Sequence, residues 1–140
     1  MSEQLFIKNK NKKNILNFTK EICNILNLSN IETRHSSFYV NEEYYVVKSL
    51  GIEITFAVAD EIDYANDDLW ISLKLEPLIK INSNFLKELA SIIACKIASY
   101  DYEVAIPDNF GQDSKKTIYR KNPSEKADFK ESIIIEHLDT

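Results

Sequence analysis

Glycine and proline are scarce, with two glycines and three prolines in 140 residues. So few glycines exclude a glycine-rich phosphate loop and leave little turn chemistry for a many-turned sandwich. No Pro-, Gly- or Ser-rich linker divides the chain, so residues 1–140 read as a single domain of ordinary size. Histidine is also rare. Only His35 and His137 could act as bases at neutral pH, and neither lies in a familiar nucleophile motif. The two cysteines, Cys23 and Cys95, fall within helical apolar stripes. They read as buried, reduced thiols rather than a disulfide framework. No stretch approaches the about 20 apolar residues of a membrane span. Met1-Ser2-Glu3-Gln4 lacks the charged and apolar pattern of a secretory leader. These absences predict a cytoplasmic protein with no membrane contact.

Acid is plentiful but unevenly placed. The net charge is −5. Residues 1–20 carry five lysines against Glu3. Residues 42–76 carry nine acids against Lys48 and Lys74. Such a middle section repels nucleic acid and anionic membranes. The Lys8–Lys13 run reads as a solvated entry to the first helix.

Periodicity supplies the elements. Ile15, Phe18, Ile22 and Ile25 recur at helical spacing over residues 14–28, and Asn27, Ser29 and Asn30 offer a stop. Residues 5–8 are too short to assign, and Thr33–Ser37 read as a polar connection. Phe38-Tyr39-Val40 reads as a strand tip. Glu43–Lys48 is rich in β-formers, and Ser49-Leu50-Gly51 suits a turn. Ile52, Ile54, Phe56 and Val58 then alternate with polar or small residues, as in a half-buried strand. Leu69, Ile71, Leu73 and Leu75 alternate again until Pro77 stops the strand.

Residues 83–99 form the second helix, capped by Ser83 or Asn82. Few polar residues break it, which predicts a helix well covered by the sheet. Residues 102–106 and 117–120 add short strands. Ile133–Leu138 is a strand or the end of a short helix. The expected fold is α+β, an antiparallel sheet of about five to six strands with two main helices on one side. Ile54, Phe56, Val58, Ile71, Leu73, Leu89, Ile93 and Ile97 are its expected core.

The strongest functional signal lies between two of these strands. Asp60, Glu61, Asp63, Asp67 and Asp68 place five carboxylates and no base on one loop. Like charges this close repel one another unless solvent screens them or a basic partner meets them. Tyr64 and Trp70 stand beside them, and aromatics next to charge are common interface anchors. Trp70 is expected on the face opposite Leu69, Ile71 and Leu73. The loop lacks the glycine and ligand spacing of a calcium site. No metal and no cofactor is expected. Asp108-Asn109-Phe110-Gly111 is a turn and a secondary contact candidate. His35, with Arg34 and Ser36, is the one candidate catalytic group.

Tyr44-Tyr45-Val46-Val47, Leu50-Gly51-Ile52-Glu53-Ile54, the acidic loop and Leu69-Trp70-Ile71-Ser72-Leu73-Lys74 together resemble the immunity proteins of bacterial polymorphic toxin systems. Those of contact-dependent growth inhibition are among them. The likeness spans roughly residues 43–77 and is one of pattern. It implies a non-enzymatic protein that binds a cognate toxin domain, often a nuclease, and it carries over no functional residue. The charge of the acidic loop itself makes Asp60, Glu61, Asp63, Tyr64, Asp67, Asp68 and Trp70 the expected partner-binding residues, facing a basic surface of the toxin. Type III secretion chaperones are similar in size and acidity but end in an amphipathic helix. A small hydrolase or nuclease using His35 is the alternative from the enzyme class.

Overall fold

The computed structural model describes residues 2–38, 42–59, 70–107, 115–121 and 133–139. Eight strands and two helices follow in the order β1 (Glu3–Lys8), α1 (Ile15–Leu26), β2 (Glu32–His35), β3 (Glu43–Ser49), β4 (Ile52–Val58), β5 (Trp70–Pro77), α2 (Ser83–Ala98), β6 (Val104–Pro107), β7 (Lys115–Lys121) and β8 (Ile133–Asp139). All eight strands form one sheet, ordered β2-β3-β4-β5-β1-β6-β7-β8. Every neighbouring pair is antiparallel. The class is therefore α+β, as the periodicity predicts, with a wider sheet than the five to six strands expected.

The extra width has two sources. Leu5, Phe6 and Ile7 of β1 are all buried, so the strand has no apolar–polar alternation to announce it. It sits at the centre of the sheet, between β5 and β6. At one edge, β2 consists of Glu32, Thr33, Arg34 and His35, a composition that reads as a connection. A short, charged strand is well suited to an exposed edge. Residues 133–139 are a strand. Phe38 lies in an exposed turn rather than a strand tip, and Tyr39 and Val40 fall outside the described residues.

The helix ends follow local chemistry. The Asn14 side chain accepts from the Asn17 amide and starts α1, and Asn27 ends it in the left-handed conformation at φ 57°. The Asn82 side chain accepts from the Asn84 amide at the start of α2. Leu50 and Gly51 have φ of 51° and 72°, the positive pair that a two-residue hairpin requires between paired Ser49 and Ile52.

Both helices cover the same sheet face. Leu5, Ile7, Tyr45, Val47, Ile54, Phe56, Ile71, Leu73, Leu75 and Val104 meet Phe18, Ile22 and Ile25 of α1 and Leu86, Ile93 and Ile97 of α2. Six of the eight expected core residues are buried; Val58 and Leu89 pack at its margin. The expected cover over α2 is incomplete: Phe85 and Ile92 are exposed. Their face of the helix turns away from the sheet that buries Leu86, Ala90 and Ile93. The other sheet face carries a smaller apolar island of Phe6, Ala59, Ala105 and Ile118, with Trp70 packed on it. Among the described residues, no helix is long and apolar enough to cross a membrane.

Candidate functional site

The strand registers decide what surrounds the acidic loop. Val58 pairs with Ile71, and beyond them the Ala59 amide donates to the Trp70 carbonyl at 3.2 Å. Ala59 and Trp70, which flank segment 60–69, are therefore held side by side by a continuous ladder. Asp60, Glu61, Asp63, Tyr64, Asp67 and Asp68 lie outside the described residues. Their anchor points do not.

Trp70 opens β5 on the face opposite Ile71 and Leu73, as the alternation predicts. Its ring is half-buried against the island of Phe6, Ala59, Ala105 and Ile118. Lys8 pairs with it across β1, and the Lys8 ammonium stands 5.9 Å from the ring centroid. That geometry is a cation–π contact. Lys8 Nζ is also 3.7 Å from the Glu103 carboxylate. Sequence reading missed Lys8 and Glu103 because their place beside Trp70 depends on β1 being central. Gln4 extends the polar row by donating to Ser72 Oγ at 2.6 Å.

The same end of the sheet gathers the N-terminal lysines. Lys10 and Lys12 are exposed on the way into α1, in keeping with the expected solvated helix entry, but the run begins in a strand. Lys8 ends β1, and three of the four side chains in the run have carboxylate partners. Lys10 Nζ binds Asp101 at 3.1 Å, Lys13 binds Glu21, and Lys8 faces Glu103. Tyr102 also donates to Glu21, and its ring meets Phe18 edge-on at 5.8 Å. The Lys13 and Tyr102 hydrogen bonds hold the Glu21 carboxyl below its ordinary range. Burial first, and then Glu21, pushes the Tyr102 hydroxyl well above its own. Three of the lysines near the loop's anchors thus already face Glu103, Asp101 and Glu21, while Lys12 is exposed.

The His35 constellation does not assemble. His35 is exposed on edge strand β2, opposite Glu43. Alternation sends Arg34 to the other face, where its guanidinium binds Glu32 at 3.1 Å and Glu53 at 3.3 Å. Ser36 Oγ accepts from the Phe38 amide, a local turn contact. The cysteines are no better placed as nucleophiles. Burial pushes the Cys23 thiol up to about 11 and raises Cys95 as well. Among the described residues, no group of three or more His, Cys, Asp or Glu could hold a metal ion.

Asp108, Asn109, Phe110 and Gly111 lie outside the described residues. Their flanks, Pro107 and Lys115, are at the opposite end of the sheet from Trp70, the end that also bears the Leu50–Gly51 turn several strands away. The flanks of the two candidate contact segments therefore lie at different ends of the sheet. In comparisons with known proteins, no family model, no curated protein and no solved structure matches this chain.

Proposed function

We propose that this chain is a non-enzymatic binding protein that neutralises a cognate bacterial toxin domain, an immunity protein. The observation that carries the reading is the setting of segment 60–69. Its flanks, Ala59 and Trp70, are joined across adjacent strands, Trp70 is half-exposed, and Lys8, Lys10 and Lys13 face other carboxylates. Five carboxylates on so short a stretch of sequence repel one another at some cost, which a basic partner surface would relieve. Charge of one sign speeds encounter, and a central aromatic supplies affinity. The resemblance over residues 43–77 falls on β3, β4 and β5, the strands that build this end of the sheet. The chaperone pattern closes on a helix, whereas β8 is a strand. Its partner would be a protein with a basic face, met in the cytoplasm, with no role for nucleic acid or membrane.

The test begins with a pull-down from the native host to identify the partner. Association is then measured at two salt concentrations. Asp60→Asn/Asp63→Asn/Asp67→Asn/Asp68→Asn should slow association and flatten its salt dependence while folding stays intact. Unchanged kinetics would make the loop plain solvated surface.

A further inference from the structure

Helix α2 carries two apolar stripes; among the described residues one is buried against the sheet, and the other touches the core only at its edge, through Leu89. Leu86, Ala90, Ile93 and Ile97 are buried against the sheet. Phe85, Leu89, Ile92 and Lys96 follow one another at spacings of four, three and four residues, and Tyr100 comes four further on. That is the spacing of a helix–helix seam. Phe85, Ile92 and Tyr100 are 53%, 64% and 51% exposed, and Leu89 is half-buried between them. Lys96 lies over the Tyr100 ring at 5.3 Å, so the stripe continues through the end of the helix. Exposed apolar residues scattered singly need no explanation, but a row along one helix does. Helix α1 makes the contrast. Its outward positions are Asn17, Lys20 and Asn24, all exposed.

We propose that this second stripe is a self-association seam, in which α2 of one molecule packs antiparallel on α2 of a second copy about a two-fold axis at Ile92. Charge decides the occupant. Glu88 and Lys96 stand four residues before and four after Ile92, on the same exposed face. An antiparallel pair centred on Ile92 sets Glu88 of each copy against Lys96 of the other. Phe85 then meets the turn that carries Tyr100. A parallel pair would set Glu88 beside Glu88 and Lys96 beside Lys96, which repels. The stripe is thus complementary to itself in one orientation only, as an isologous interface must be. A 16-residue helix is about 24 Å long, so the seam lies at the small end of specific interfaces and the expected dimer is a weak one. Trp70 is on the opposite face of the sheet, so the seam leaves the proposed toxin-binding surface open.

Sedimentation velocity over a wide micromolar range tests this, with thermal melts to confirm that each variant folds. The mean mass should rise with concentration from 16.2 kDa towards twice that value. Ile92→Asp should abolish the rise. Glu88→Lys and Lys96→Glu should each weaken dimerisation about tenfold or more by creating like-charge contacts. The double variant Glu88→Lys/Lys96→Glu should restore it. If Ile92→Asp fails to fold, the exposed charge swaps carry the test alone. A mass fixed at the monomer value at every concentration would overturn the proposal. So would an oligomer indifferent to the single swaps, or one that the double swap fails to restore.

Discussion

Replacing Phe56 by alanine tests the packing most sharply when Phe85→Ala is measured beside it. Both changes remove the same atoms. Phe56 is fully buried on β4, beside Tyr45 and Leu73 in the register and under the helices. Phe85 sits on the outer stripe of α2. Truncating a buried phenylalanine costs about 3–5 kcal/mol, from lost transfer energy and the cavity left behind. A domain of this size holds about 5–15 kcal/mol in total, so Phe56→Ala removes a large share. At about 2–4 °C per kcal/mol, its melting temperature should fall by roughly 10 °C. Phe85→Ala, measured dilute so that the chain is monomeric, should cost under about 1 kcal/mol. Urea unfolding followed by Trp70 fluorescence gives both values, with unchanged slopes confirming like-for-like transitions. A Phe56→Ala loss below about 1 kcal/mol would contradict the register of β4 and the burial behind this estimate. So would equal losses for the two variants.

Three further outcomes follow from named contacts. Glu21 has a folded pKa held below its ordinary value of about 4.5, first by Lys13 and then by Tyr102. Its stabilisation is therefore complete above that value and is lost as pH falls through the lower folded one. Glu21→Gln should lower stability at neutral pH and flatten the acid limb of a stability–pH curve; an unchanged acid limb would remove Glu21 from the account. Leu50 is strained at φ 51° with its side chain 92% exposed, so Leu50→Asn should raise stability by about 0.5–1 kcal/mol. Loss of stability in denaturant melts would show that the turn tolerates leucine without strain. Cys23 should resist a thiol reagent at mildly alkaline pH until the chain unfolds, whereas half-buried Cys95 reacts sooner. Equal labelling rates in the native state would refute that order.

Elements with a clean period were legible in the sequence. The alternation of Ile52–Val58 and Ile71–Leu75 gave two strands with the correct inward faces, and the two helices end within two residues of their expected limits. What escaped was whatever lacked a period. β1 is buried on both faces, and its neighbours come from residues about 70 and 100 positions away, a long-range fact no local window contains. β2 is polar because it is an edge. The scarcity of polar residues in α2 pointed to full cover by the sheet, but a helix presents only one side to it, and Phe85 and Ile92 stay exposed. Trp70 was placed on the correct face from alternation alone. Its partners Lys8 and Glu103 depend on the central position of β1, so the polar part of the candidate site was hidden with that strand.

The central claim is that this chain neutralises a toxin domain through the end of the sheet that bears segment 60–69 and Trp70. The most direct measurement is growth of cells expressing the partner domain that the pull-down identifies, with and without the chain itself. The account predicts that the wild-type chain restores growth, and that Asp60→Asn/Asp63→Asn/Asp67→Asn/Asp68→Asn, folded but slower to bind, restores it less. Continued toxicity in the presence of soluble, folded wild-type protein would contradict the claim.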